Sequence, residues 1–337
     1  MNRSLENEFY MRRCLELAGN ALGQTFPNPL VGSVLVHNSQ IIGEGWHSRA
    51  GEAHAEVMAI ESVKSKSLLP ESTLYVNLEP CAHQGRTPSC AVRIGSERIK
   101  RVVYGMADPN EKVNGKGAEI LRCAGIEVES GILEKECKTL NKRFVTNMIR
   151  KRPYIILKWA QSVDGFIDKK SRTASSGPLW ISNQLSRQLV HKWRTEEAAV
   201  LVGFRTAQID NPELTARLYA GRNPIRLVND PKGELSETLN VFNENAPSIR
   251  LDLTEMNLSA ALEDLWMEKD ISSIIVEGGR NTLDLFLHAE LWDEARIFTG
   301  HIVLKEGIKA PTISKRYFKE SVDVKGDKLE IIMRSDR

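Results

Sequence analysis

One short constellation limits what this chain can be: His54-Ala55-Glu56, then Pro80-Cys81, then Cys90. An imidazole and two thiolates are a donor set that zinc favours, and a catalytic zinc site keeps a fourth corner open for water. Zinc lowers the pKa of such a water from about 15.7 to about 7. The residues therefore predict one Zn2+ per chain, held by His54, Cys81 and Cys90. Glu56 stands two residues past the histidine, placed to carry a proton rather than to bind metal. His83 is the other nearby residue that could ligate, as a third ligand in place of Cys90 or as the fourth ligand of a purely structural site. The sequence leaves both alternatives open.

The order His-x-Glu, Pro-Cys, Cys is that of zinc nucleobase deaminases. The usual second half is Pro-Cys-x-x-Cys, but Gln84 occupies the place of that second cysteine and the next thiol is Cys90. The intervening text, Pro80-Cys81-Ala82-His83-Gln84-Gly85-Arg86-Thr87-Pro88-Ser89-Cys90, resembles the deaminase half of the bifunctional riboflavin-biosynthesis deaminase–reductases.

A chain of 337 residues is long for one core and comfortable for two domains. The formal net charge is +2 with no block of like charges, which gives no electrostatic footprint for nucleic acid. Five scattered cysteines and an N-terminus without a signal-peptide pattern predict a reducing, cytoplasmic setting. No apolar run approaches the roughly 18 residues of a membrane span.

The first half reads as a helix over Phe9 to Leu22, a hairpin of Val31 to Val36 with Gln40 to Gly43, and a helix over Gly51 to Val63. Its buried side would be Ala55, Met58, Ala59 and Val63. A strand at Thr73 to Leu78 then leads to Cys81, and a helix beginning near Ser89 carries Cys90. The strand Val102 to Tyr104, the helix Ala118 to Cys123, the strand Ile126 to Val128 and the helix Leu133 to Met148 complete a three-layer α/β/α unit. Cys14, Cys123 and Cys137 read as buried structural thiols. Asn28, just before the first strand, is either an Asx turn or, as the resemblance implies, part of the pyrimidine pocket, where an amide offers both a donor and an acceptor.

Arg150-Lys151-Arg152-Pro153 is the best boundary, predicting a deaminase domain over residues 1–149 and a second α/β domain over 150–337. Strands are expected at Tyr154 to Trp159, Ala198 to Val202, Ile225 to Val228 and Ile271 to Val276, with edge strands from Ile297 to Leu304 and near Val322 and Ile331. Helices are expected up to Arg194, over Ala260 to Met267 and over Leu283 to Ala289. No Gly-x-Gly-x-x-Gly follows a strand. Glu277-Gly278-Gly279-Arg280 instead joins a buried strand to a helix, where glycine lets backbone N–H groups approach an anion.

Lys158 to Gly165, Trp180-Ile181-Ser182, Val202-Gly203, Thr206…Asp210-Asn211-Pro212-x-Leu214 and Val276 to Gly279 occur in the order of the family's reductase half. That resemblance implies a dihydrofolate-reductase-like fold that takes NADPH. It places Ala160, Trp180, Thr206, Asp210, Gly279, Arg280, Asn281, Thr282, Leu283, Asp284 and Leu285 at the cofactor. It places Asn28, Arg194, Leu214, Arg217 and Glu277 at substrate, and makes Asp210 a catalytic carboxylate near the nicotinamide, a second catalytic residue in addition to Glu56 of the first half. Paired arginines suit a phosphate. Pro178 and Pro231 depart from the pattern, and the run Asp168 to Arg172 is longer than usual. Arg205 could meet the cofactor's 2′-phosphate or be surface charge.

The function this implies is zinc-dependent deamination of a diaminopyrimidinone ribosyl phosphate, then NADPH-dependent reduction of its ribosyl group, by a homo-oligomer with small phosphorylated pyrimidines as its partners. Two rivals remain: a nucleobase or RNA deaminase with an appended non-catalytic binding domain, and a protein whose zinc is structural.

Overall fold

The computed structural model describes residues 3–82, 89–110, 113–313 and 317–334; His83 lies outside the described residues. The chain divides into two compact units, Met1–Arg150 and Lys151–Arg337.

The first unit runs α1 (Arg3–Gly19), β1 (Gly32–His37), β2 (Gln40–Trp46), α2 (Ala55–Ser62), β3 (Thr73–Leu78), α3 (Cys90–Ser96), β4 (Arg101–Met106), α4 (Lys116–Cys123), β5 (Glu127–Ser130), α5 (Glu134–Leu140) and α6 (Lys142–Arg150). Its sheet has the order β2-β1-β3-β4-β5, with β1 antiparallel to both neighbours and β3, β4 and β5 parallel. Helices α1 and α5 pack together on the sheet, and α2, α3 and α4 pack in succession. Close helix–sheet approach explains the strand glycines. A Cβ at Gly32 would lie 2.2 Å from the Cys14 carbonyl of α1, and one at Gly45 would lie 2.4 Å from the Ala59 nitrogen of α2. The three-layer expectation holds.

Several details differ from expectation. α1 begins earlier and stops at Gly19. α2 starts only at Ala55, and its Met58 is exposed while Glu56 and Ile60 take the inner side. The helix expected over Leu133 to Met148 is broken at Asn141, whose side chain leaves the helical pattern to bond Leu30 at both its N–H (2.8 Å) and its carbonyl (2.9 Å). Cys14 and Cys137 are buried as expected, but Cys123 is exposed, because it ends α4 on the outer side.

The second unit runs β6 (Tyr154–Gln161), β7 (Phe166–Asp168), α7 (Gln184–Glu196), β8 (Ala199–Gly203), α8 (Phe204–Asp210), β9 (Ile225–Asn229), β10 (Ser248–Leu251), α9 (Leu258–Met267), β11 (Ser273–Val276), α10 (Arg280–His288), β12 (Glu294–Thr299), β13 (Ile308–Lys309), β14 (Phe318–Val324) and β15 (Asp327–Met333). The large sheet has the order β10-β9-β8-β11-β6-β12-β15-β14. It is parallel from β10 to β12 and antiparallel beyond. β12 was expected at an edge; it lies inside, between β6 and β15. The edges are β14, which carries Val322 as expected, and β10, a short half-buried strand whose mixed Ser-Ile-Arg-Leu pattern carries little signal. The polar run after Val202 opens as a helix, α8, and leaves it at Asn211 in a left-handed conformation (φ 40°). No described helix is long and apolar enough to cross a membrane.

Candidate active site

In the first unit, His54 is the N-cap of α2 and Glu56 lies in that helix's first turn, 4% exposed. Cys81 follows β3 by three residues. Cys90 opens α3, whose Ser89 cap accepts a hydrogen bond from the Val92 N–H at 3.3 Å. These separate elements bring the three expected ligands together. His54 Nδ1 lies 3.2 Å from Cys90 Sγ and 3.6 Å from Cys81 Sγ, and all three donor atoms lie within 4.8 Å of one another.

The set fits zinc. Bonds of about 2.0–2.1 Å to nitrogen and about 2.3 Å to sulfur put tetrahedral donors roughly 3.5 Å apart. Cys81 is held down to about 4, first by a hydrogen bond from the Cys90 thiol and then by His54 and the Cys90 N–H. Cys90 is pushed far up as the proton-giving partner of that pair. Burial pushes Glu56 up to about 6, with the Cys81 charge adding to it.

Two neighbours escaped the sequence reading. His47 Nδ1 lies 3.1 Å from the Ala53 carbonyl, and its Nε2 lies 3.1 Å from Asn28 Nδ2. Its ring stands 5.7 Å from that of His54. Burial lowers its pKa, so it is neutral, donates from Nδ1 to the carbonyl and accepts the Asn28 amide at Nε2. Asn28 is thereby tied to the site. Glu79 is buried under the Cys81 turn and accepts backbone N–H groups from Asp108 (3.4 Å), Gly115 (3.1 Å) and Ala118 (3.2 Å). A carboxylate directly before Pro-Cys at a strand end was the available signal.

In the second unit a cleft of about 1350 Å3 opens beyond the carboxyl ends of β6, β8, β9 and β11, where open parallel sheets bind ligands. Ala160, Trp180, Thr206, Asp210, Gly279, Arg280, Asn281 and Thr282 line it, as do Arg194, Leu214, Arg217 and Glu277. Asp284 and Leu285 line a smaller recess of about 370 Å3 that shares Asn229, Asn281 and Thr282 with the cleft. Leu283 lines neither; it is fully buried. Arg205 is exposed at the rim.

Local packing explains the glycines. The Thr282 side chain lies so near Gly203 and Gly278 that a Cβ would come within 2.2 Å and 2.5 Å of it. The Gly279 N–H, expected to face an anion, already donates to Thr206 Oγ1 at 2.9 Å. Trp180 carries the Arg187 guanidinium 4.4 Å above its ring.

Arg194 lies in the last turn of α7, where an arginine is ordinarily solvated. It is buried instead, and donates twice to Glu277 and once to the Thr215 carbonyl (2.9 Å). Burial alone would raise Glu277, but Arg194 and Lys158 hold it down at about 2. Burial lowers Lys158, whose Nζ sits 3.6 Å from Glu277. Arg217 is exposed, 3.6 Å from Glu213. His191 also lines the cleft, buried, and was not anticipated.

Residues 4–106 match the family model for the cytidine and deoxycytidylate deaminase zinc-binding region, and residues 153–325 match that for the RibD C-terminal domain. The riboflavin biosynthesis protein RibD of Aquifex aeolicus is 40% identical, over 95% of this chain and 94% of the relative. The chain belongs to the bifunctional riboflavin-biosynthesis deaminase–reductase family. The RibD of Bacillus amyloliquefaciens is 37% identical, over 94% of this chain and 90% of its own. Among solved structures, a Thermotoga maritima diaminohydroxyphosphoribosylaminopyrimidine deaminase/5-amino-6-(5-phosphoribosylamino)uracil reductase superposes with a TM-score of 0.88 at 37% identity, covering 99% of this chain and 100% of that one. Acinetobacter baumannii RibD gives 0.87 at 31% identity, with the same coverage. This deaminase–reductase thus pairs a zinc-binding deaminase domain with an NADPH-dependent reductase domain. The expectation of a non-catalytic appendage gives way to the reductase match over the second half.

Proposed function

We propose that residues 1–149 deaminate 2,5-diamino-6-ribosylamino-4(3H)-pyrimidinone 5′-phosphate by hydrolysis. Residues 150–337 then reduce the ribosyl group with NADPH to give 5-amino-6-(5-phosphoribitylamino)uracil. What carries the reading is the coexistence in one chain of the His54, Cys81, Cys90 and Glu56 cluster with the cleft of the second unit. The relatives' printed activities supply the substrates.

In the deaminase, His54, Cys81 and Cys90 would hold zinc, which supplies an activated water when bound. Glu56 takes that water's proton, hands it to the ring nitrogen and helps ammonia leave. Burial in the first turn of α2 favours the protonated carboxyl, which suits a group that must hold a proton between the two transfers. Asn28, steadied by His47, meets the edge of the pyrimidine.

In the reductase, NADPH supplies the hydride, delivered to C1′ of the ribose. Trp180, Thr206 and the segment Gly279 to Leu285 seat the cofactor. Asp210 stands by the nicotinamide and the reacting sugar. Arg217 has donors to offer a phosphate, whereas those of Arg194 are largely taken by Glu277. Leu214 closes the apolar side. A cytoplasmic homo-oligomer is the form we expect, read out by light scattering of the purified enzyme.

The test is a coupled assay on the full chain. The diamino substrate should release one ammonia, and NADPH should be consumed only after that step or with deaminated substrate supplied directly. NADPH consumption without any deamination requirement, or none at all on the deaminated compound, overturns the assignment.

A further inference from the structure

Between β7 and α7 the chain carries the long run Asp168 to Arg172, then a single 3-10 turn over residues 174–176. Nothing in the reductase reading uses that run. Yet Arg172 lines the cleft, and its side chain is only 8% exposed. Its guanidinium reaches three separate segments. One terminal nitrogen donates to Asp168 Oδ1 at 3.0 Å, at the end of β7. The other donates to the Gly177 carbonyl at 2.6 Å, past the 3-10 turn, and to Asp210 Oδ1 at 2.5 Å, at the end of α8. Among the described residues, Arg172 is the side chain bonded to Asp210.

A planar fork with five fixed donors can span three acceptors; a lysine ammonium on a flexible stem cannot reproduce that span. Asp168 and Asp210 converge on one cation, so removing it would leave two carboxylates facing each other with no charge between them.

We propose that Arg172 is a positioning residue of the reductase: it fixes the Asp210 carboxylate in the cleft and locks the Asp168 and Gly177 segments of the rim to it. This rests on the reading of Asp210 as a group at the nicotinamide and the reacting sugar. Arg172 does not touch the reacting atoms; it acts through Asp210. Orientation errors of about an ångström at such a group cost large factors in rate.

The test uses the zinc-loaded full chain with NADPH and the deaminated substrate. Asp210→Asn, Arg172→Gln, the double variant and Arg172→Lys are compared for kcat and for KM of NADPH. Arg172→Gln should lower kcat about tenfold and change the KM of NADPH less than about twofold. The double variant should be no slower than Asp210→Asn alone. Arg172→Lys should restore only part of kcat, because an ammonium cannot span all three acceptors.

Two losses that multiply in the double variant, or an Arg172→Gln enzyme with unchanged kcat, overturn the role of Arg172 and leave that of Asp210 standing. An Asp210→Asn variant with the wild-type kcat overturns both. Should Arg172→Gln prove too unstable to assay, a full wild-type kcat in Arg172→Lys overturns the proposal by itself.

Discussion

Arg194 and Glu277 grip each other on the cleft wall, Nε to Oε1 at 2.8 Å and a terminal nitrogen to Oε2 at 2.9 Å. Their side chains are 11% and 8% exposed. Such a parallel pair is strong and directional. It also commits most of the Arg194 donors before any phosphate arrives, so two arginines assigned alike from the sequence have different parts to play.

Breaking that pair should cost stability, while trimming the exposed arginine should cost affinity. Arg194→Met strands a buried carboxylate with Lys158 alone, and a loss of about 3–5 kcal/mol in urea unfolding of the reductase unit is expected. Arg217→Ala should leave unfolding unchanged, raise KM for the phosphorylated substrate by about tenfold or more, and leave that for NADPH within about twofold. Equal losses for both ligands would mean general damage.

Glu56→Gln keeps the size of the side chain and removes the proton carrier. Ammonia release should fall by about 10²–10⁴. Zinc measured by elemental analysis should stay at one per chain, and NADPH oxidation with deaminated substrate should be unchanged. An unaltered ammonia rate takes Glu56 out of the mechanism.

Zinc retention should depend on the turn that presents Cys81 as well as on the ligands. Cys90→Ser should lower the zinc content directly. Gly117→Ala would set a Cβ 1.9 Å from the Pro80 carbonyl, next to Cys81. A loss of zinc affinity of about 10–100-fold is expected there, read by competition with a chromogenic chelator. Full zinc in Cys90→Ser would bring His83 back as the third ligand.

His191 sets a pH dependence. Burial, aided by Arg194 and Arg217, pulls it from its ordinary 6.5 to about 4. Between those values the unfolded chain binds a proton that the folded chain refuses. Its contribution is therefore whole above about pH 6.5 and is lost as pH falls through about 4. Thermal unfolding of the reductase unit should weaken from pH 7 to 4.5, and His191→Gln should flatten that slope. An identical slope in the variant would assign the effect to other groups.

The deaminase half was legible because its chemistry is written in residue types with few other uses. His54, Cys81 and Cys90 were picked out as a donor set, and the structure brings those three together, with Glu56 buried in the first turn of the helix that His54 caps. His47 was missed because a lone histidine at the end of a strand has no local mark; only the fold brings it to Asn28. Helix and strand types were mostly right where apolar periodicity was strong, as at β3 and α7. They failed where a side chain overrode periodicity, as at Asn141, and where a strand was short and half-polar, as at β10.

By itself the sequence determined the donor set, a carboxylate two residues past its histidine, and two α/β halves in a recognisable order, because these follow from residue chemistry and short-range spacing. Tertiary structure alone decided which charges are spent on one another. Arg194 with Glu277 lies 83 residues apart in sequence, and Arg172 with Asp210 lies 38. A partner that distant is chosen by how the sheet packs its strand ends together, which no local pattern records.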